Sequence, residues 1–330
     1  MKQVIKYAAL IFALILAASI IGGCLTAGVA VVQRIVDRTE NNAENNRNNG
    51  NDLWYREEDG DVVFLGIHLG NSGDVKSGSE QFFAADVDSM YLECGSGELI
   101  VEVWDSDSIS VEYENIPENY EIFLDDGTLS IEREDGIFIW GTSFNEMPKI
   151  HVSVPADKIF EEVEIDKGSG SAKVFGISVD ELEVDNGSGG VNFSDVTAEK
   201  SIFNSGSGSF IVQNSNTGET SMDTGSGFVN FENIIAENFV LDTGSGRVDI
   251  SGVLTGNCVF ESGSGSLNVV VYGAEEDYNI RTDMGSGSFY LNGKKEKDDH
   301  IEHNGADNLL VFDVGSGRAS VEFKEANYDR

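Results

Sequence analysis

The sequence predicts an all-β fold: a single-chain parallel β-solenoid (β-helix) with rungs of about 19 residues, preceded by one N-terminal transmembrane helix. Three observations predict it. A Gly-Ser-Gly corner occurs nine times, beginning at Gly95, Gly168, Gly187, Gly206, Gly225, Gly244, Gly263, Gly285 and Gly315, with a constant step of 19 from Gly168 to Gly263. The residues flanking each corner alternate apolar and polar in the same register from copy to copy. Residues 7–32 carry no charged side chain.

The columns of the repeat define one rung. Two and four residues after each corner the side chain is apolar, as in Val191 and Phe193, Phe210 and Val212, Val229 and Phe231, or Val248 and Ile250. Lys173, Asn192, Asn230, Asp249 and Asn268 stand between them, so this is a strand with one inward face. A second strand before the corner has the same parity, at Val163 and Ile165, Leu182 and Val184, Phe239 and Leu241, and Cys258 and Phe260. Between them lies a short apolar side such as Val196 or Val253. It is bounded by turn residues, Gly176, Asp195, Asn214, Asn233 or Gly252 on one side and Asp180, Glu199, Gly218, Glu237 or Gly256 on the other. The structural corners are Gly168, Gly170, Gly187, Gly189, Gly206, Gly208, Gly225, Gly227, Gly244, Gly246, Gly263 and Gly265, where glycine is expected because it reaches positive φ freely. A string of antiparallel hairpins is the rival arrangement, since Asp185 to Gly189 also reads as a hairpin loop. It does not require every inward column to match in register.

In chain order, residues 1–6 form a short cytoplasmic segment. Residues 7–32 would measure about 39 Å as a helix, enough to cross a bilayer. Lys2 and Lys6 before it favour an inside N-terminus, and Arg34 and Arg38 after it blur the bias. An uncleaved anchor is favoured; Ile21-Gly22-Gly23-Cys24 offers the alternative of a lipidated Cys24. Residues 33–52 are an Asn-rich spacer with too little apolar surface to order itself. The ectodomain is 53–330, with regular rungs at 163–292. Residues 53–93 are expected to close the near end of the stack, and Asp126 to Ile131 reads as a worn corner plus first strand. Phe138, Trp140 and Phe144 are expected in the core. A charged insertion, 293–308, interrupts the last repeats and reads as a solvated loop, although Asp298, Asp299, His300 and His303 are residue types that ligate transition metals. Leu309 to Phe323 then completes the last rung.

At this point the chain resembles a known family. Ile150-His151-Val152-Ser153-Val154-Pro155, then Val163-Glu164-Ile165, then the Gly-Ser-Gly rungs, are similar to the DUF4097 family of adhesin-like proteins over roughly residues 91–323. The resemblance implies a β-solenoid on a membrane anchor, commonly in bacteria. It offers no catalytic motif to carry over, and the insertion departs from its regular pattern.

Two residues before each corner stands an acidic column: Glu93, Asp166, Asp185, Asp223, Asp242, Glu261, Asp283 and Asp313, broken once by Asn204. Stacked about 4.8 Å apart, these carboxylates are expected to accept the N–H of the glycine two residues on, in an Asx-type turn. Asp166, Asp185, Asp223 and Asp242 are also the metal-ligand candidates, with Ca²⁺ between rungs as the alternative and no other cofactor expected. The formal charge of −37 argues against a nucleic-acid partner. The sequence contains no P-loop, nucleophile elbow or Cys-x-x-Cys, so no enzymatic activity is expected. Cys94 and Cys258 are many rungs apart and should not pair.

The expected role is a surface protein tethered to the cell membrane by its N-terminal helix, with its ectodomain outside the cytoplasm. It would bind an envelope or host macromolecule, glycan or protein, through extended faces. The alternatives are an envelope structural or signalling partner acting through membrane proteins, and a polysaccharide-active β-helix enzyme. For the enzyme only scattered Arg247, Arg281 and Arg318 are available.

Overall fold

The computed structural model describes residues 75–133, 147–297, 301–302 and 304–325, and the backbone of three strands before them. The predicted anchor and spacer lie outside the described residues, as do Phe138, Trp140, Phe144, Asp298, Asp299, His300 and His303. Among the described residues no helix is long and apolar enough to cross a membrane. The chain divides into two units. The described part of the first is a small antiparallel sheet of Arg56–Glu58, Asp61–Phe64 and Ile67–Leu69.

The second unit is all-β and solenoid-like. Its strands stack in two long ladders, one on each side of the Gly-Ser-Gly corner. After the corner, Ser171–Phe175 pairs in parallel with Gly190–Ser194, and that strand with Ser209–Gln213. Before the corner, Ile159–Lys167 pairs in parallel with Ser178–Asn186, and that strand with Thr197–Ser205. Partners in these regular rungs are 19 residues apart, as the repeat requires. The hairpin arrangement is excluded here.

The period-2 columns face inward as expected. Val191, Phe193, Phe210, Val212, Val229, Phe231, Val248 and Ile250 are at most 2 % exposed, and the inner pre-corner residues are buried with them. Eight phenylalanine rings form a continuous file. It runs Phe193, Phe203, Phe210, Phe231, Phe239, Phe260, Phe312 and Phe289, with successive centroids 4.9–6.4 Å apart. Such contacts add directional preference to the burial of large apolar surfaces.

Left-handed backbone sits at the turns flanking the short side. Gly176, Asp195, Asn214 and Asn233 have φ of 73°, 57°, 51° and 55°, and Gly218 and Gly256 have φ of 56° and 73°. Glycine, asparagine and aspartate are the residues that tolerate this region. Asn233 Nδ2 donates to Asn214 Oδ1 at 2.9 Å, tying successive turns together.

Both ends depart from chain order. At the near end Glu98–Trp104 pairs in parallel with Lys149–Pro155, which pairs antiparallel with Ser108–Pro117, itself antiparallel to Val75–Phe83. Asp126 to Ile131 is not a corner plus first strand. Asp126 and Gly127, with φ of 45° and 82°, turn a two-residue hairpin between Tyr120–Asp125 and Thr128–Arg133. Positive φ at both central residues is the hairpin geometry that matches strand twist. Thr128–Arg133 then joins the pre-corner ladder beside Ser89–Glu93.

At the far end the last rung in sequence is not the last in space. Asn308–Val314 lies between Asn257–Ser262 and Tyr278–Met284, and Arg318–Lys324 between Ser266–Tyr272 and Ser288–Leu291. The chain rises two levels through Gly273 to Asp277, lays the outermost rung, and returns to fill the level between. The insertion is more than a solvated loop. Lys294–Lys295 pairs antiparallel with Ser288–Leu291, and Ile301–Glu302 with Tyr278–Met284, so it borders the outermost rung on both ladders. Edge strands need such cover.

Candidate functional site

The Gly-Ser-Gly corners stack into a ridge, and the reason for glycine differs from the expected one. No corner glycine has positive φ. The constraint is close approach between rungs. A Cβ on the first glycine would meet the carbonyl oxygen of its counterpart one rung away, at 2.7 Å for Gly187 and Gly206 and 2.6 Å for Gly263. At the second glycine, from Gly170 to Gly265, the facing carbonyl is closer still. Real side chains do not occupy such positions.

The same stacking removes the expected Asx turn. Gly187 N–H donates to Lys167 O at 2.8 Å, Gly225 N–H to Ser205 O at 3.1 Å and Gly244 N–H to Thr224 O at 3.1 Å. The glycine donors are therefore taken by the preceding rung, and the carboxylates project free of them. The middle serines Ser169, Ser188, Ser207, Ser226, Ser245, Ser264, Ser286 and Ser316 are exposed along the crest, with Ser226 Oγ 3.2 Å from Ser245 Oγ.

Behind the ridge a buried polar column runs through Lys167, Asn186, Ser205, Thr224, Thr243 and Ser262. Lys167 is fully buried and donates from Nζ to Cys94 O and, at 2.7 Å, to Gly95 O. Desolvation lowers its pKa. Cys94 and Cys258 are free thiols, and burial raises both.

On the pre-corner side the acidic column is aligned in register. Glu93 faces Asp166, Asp166 faces Asp185, and Asp223 faces Asp242. Asn204 separates the two pairs of metal candidates and donates Nδ2 to Asp185 Oδ1 at 2.7 Å. A shallow groove of about 440 Å³ follows this column along Asp166, Asp185, Asn204 and Asp223. Among the described residues no group of three or more His, Cys, Asp or Glu side chains is arranged to hold a metal ion.

Burial and neighbouring carboxylates raise Glu164, with Glu183 and Glu162 the largest charges acting on it. Burial, then Glu93 and Asp185, likewise raise Asp166. A carboxyl raised in the folded state binds its proton more tightly there, so stability increases as pH falls through the raised values, above the ordinary 4.5 and 3.8. The double variant Glu164→Gln/Asp166→Asn is expected to melt higher than the parent at pH 7, with the gap closing towards pH 4. A variant that melts lower at pH 7 would show the carboxylates to be stabilising instead.

The post-corner side is different. Its first outward column runs Glu98, Ser171, Gly190, Ser209, Phe228, Arg247, Ser266, Arg318 and Ser288, with a carboxylate only at the near end. A second open groove of about 560 Å³ runs from Ser188–Gly190 to Ser245–Arg247. Phe228 is 38 % exposed, and the Arg247 guanidinium lies 5.9 Å from its ring centroid while its Nε donates to Asp249 at 2.8 Å. Two levels beyond Arg247, Arg318 lies 4.1 Å from the Tyr290 ring centroid. Sequence reasoning singled out Arg247 and Arg318 only as scattered charges. The missed signal was an aromatic ring beside each arginine: Phe228 is the register partner of Arg247, and Tyr290 stands two residues on from Ser288, the partner of Arg318.

A scan of protein-family models matches Toastrack DUF4097 over residues 87–309. A search of the curated proteins found no match. Among solved structures, the chain is similar to a "putative lipid binding protein" of Parabacteroides distasonis (18 % identity, 77 % of this chain and 98 % of that one, TM-score 0.45). It is also similar to a "putative adhesin" of Bacteroides fragilis (12 %, 76 % and 97 %, TM-score 0.37) and a "putative cell adhesion protein" of Clostridium sporogenes (16 %, 76 % and 100 %, TM-score 0.31). The family match spans well over half of the 330 residues and contains every regular Gly-Ser-Gly rung; this chain belongs to the Toastrack DUF4097 family.

Proposed function

We propose that this protein is a non-enzymatic, membrane-tethered binding module that engages an envelope or host macromolecule, glycan or protein, through the long faces of its solenoid. In this reading residues 1–6 are cytoplasmic, 7–32 anchor the chain, 33–52 act as a spacer, and 53–330 form the ectodomain. The observation that carries the reading is the chemistry of the two sides of the ridge. Both grooves are open rather than enclosed, as suits an extended ligand lying across several rungs. One is bordered by aligned carboxylates. The other presents hydroxyls, the Phe228 ring and Arg247, groups that contact sugars or peptides without a deep cavity. The acidic field keeps polyanions, nucleic acid among them, at a distance.

The test is adhesion of cells displaying the full chain to surfaces coated with peptidoglycan or with mucin. Phe228→Ala/Arg247→Ala is expected to lower retention on one of these surfaces at least tenfold, with expression and melting temperature unchanged. Retention that equals that of cells lacking the protein, on both coatings, would sink the reading. Deleting residues 7–32 is expected to move the protein out of the membrane fraction.

A further inference from the structure

The outer face of the pre-corner ladder changes character along the stack. One outward column turns from Glu183 to Ile202, continues through Val240, Val259 and Val311, and ends at Arg281 in the outermost rung. Ser221 alone interrupts the apolar run. Val240 is 46 % exposed, and Ile202, Val259 and Val311 are partly exposed. Two residues further along each strand, the acidic column borders this stripe with Asp223, Asp242, Glu261 and Asp313, all exposed. We infer that this face docks a cationic amphipathic helix of a protein partner. The helix lies along the stack axis, with its apolar stripe on the valines and its basic flank over the carboxylates.

The dimensions fit a helix. From Ile202 to Val311 the stripe crosses four ladder pairings, about 19 Å at a strand spacing of about 4.8 Å. A helix of about 13 residues has that length, and its apolar face returns every turn of about 5.4 Å, close to the spacing of the rungs. The acidic column lies about 7 Å to one side of the stripe, near the half-width of a helix with its side chains. The ends fit as well. Glu183 stands beyond one end of the stripe, where it complements the positive N-terminus of the helix, and Arg281 beyond the other, where it complements the negative C-terminus.

Charge selects the occupant. Among the described residues none of Asp223, Asp242, Glu261 and Asp313 is ion-paired, whereas Glu93, in the same column at the near end, lies 3.5 Å from Arg133. On the other flank of the stripe Lys200 is taken by Glu181 at 2.5 Å, and its register partner is Glu219. A partner that covers this face must desolvate unpaired carboxylates, and lysine or arginine on the partner offsets that cost. A second copy brings the same carboxylates and a formal charge of −37, so like-charge repulsion opposes self-pairing. The inference rests on the reading of the solenoid as a binding module, but on a different face from the Phe228 and Arg247 groove, so the two can fail separately.

The test uses the full chain in nanodiscs of neutral lipid, with binding to empty discs subtracted. The probe is a fluorescent synthetic helix of about 14 residues, with leucine along one stripe and lysine along one flank. Fluorescence anisotropy is expected to give a dissociation constant in the micromolar range that rises with added salt. The same composition in scrambled order, which has no apolar stripe, is expected to bind about tenfold more weakly. Val240→Lys/Val259→Lys is expected to weaken binding about tenfold or more. Val240→Thr/Val259→Thr, expected to weaken it about threefold, keeps the β-branched shape and carries the test if the lysine pair does not fold. Asp242→Asn/Glu261→Gln is expected to weaken binding and flatten its salt dependence. Phe228→Ala/Arg247→Ala is expected to leave it unchanged. No binding, equal binding of the scrambled peptide, or equal binding by the valine variants would overturn the proposal. A dimer of the peptide-free chain that the valine variants abolish would assign the face to a second copy and overturn it too.

Discussion

Replacing Gly170 by alanine is expected to destabilise the solenoid by about 3 kcal/mol or more, at the upper end of what overpacking costs. The new methyl would collide with Gly97 O and would stand 2.6 Å from Lys167 Nζ and 2.7 Å from the carbonyl carbon of Ser96. None of these can yield cheaply. Gly97 O accepts the Ser171 N–H at 3.1 Å, so moving it breaks the ladder. Lys167 is fully buried, and its Nζ is held by two carbonyls. Gly95→Ala is the control, because the nearest atom to its added methyl is Tyr120 Oη at 3.7 Å. Chemical denaturation of the two variants separates a steric cause from a general intolerance of alanine at the corner. If Gly170→Ala unfolds at the same midpoint as Gly95→Ala, close approach of the rungs does not explain the glycines.

Phe231→Ala is expected to cost about 3–5 kcal/mol, the usual range for deleting a buried aromatic ring. Phe231 is fully buried, with ring centroids 6.0 Å from Phe203, 6.4 Å from Phe210 and 5.1 Å from Phe239. Its loss opens a cavity in the middle of the file, where rungs on both sides are held in register and cannot collapse inward. Val240→Ala, in the same rung but 46 % exposed, is expected to change stability by less than about 0.5 kcal/mol. Equal midpoints for the two variants in urea would contradict a core organised around the ring file.

The regular rungs were legible because two independent periods agree in them. Alternation by two tells which side chains face inward, and the step of 19 tells which of them are neighbours. Together they place Val191, Phe210 and Val229 one above another, as the ladder does. What the side chains do not encode is backbone proximity. The corner glycines suggested a dihedral requirement, whereas the cause is the carbonyl of the next rung, which no residue type announces. The Asx turn failed for the same reason: the stack had already claimed the glycine N–H groups.

The order of levels at the far end was also hidden. Thr282 is in register with Phe312 and Phe289 with Ala319, so each of the two rungs carries one ring and one small inward residue, and neither Tyr278–Leu291 nor Asn308–Lys324 is marked for its level. On the surface, Asp166, Asp185, Asp223 and Asp242 stood out because they repeat, while Phe228 occurs once in a column whose other members are mostly serine, glycine or arginine. A binding residue on a repeat protein is often the exception in its column, and single exceptions are the weakest signal in a periodic sequence.

The out-of-order rung also changes how this end of the molecule comes apart. In a regular solenoid each rung answers to its two neighbours, and opening advances inward one rung at a time. Here the outermost rung, Tyr278–Leu291, is a closed loop of chain tethered on both sides to levels beneath it, so releasing it frees less conformational entropy than releasing a loose terminal segment. The level below it cannot leave without unpairing strands on two sides at once. Residues 257–324 thus behave as one foldon, and cooperativity at this end is set by the path of the chain rather than by the strength of any single contact.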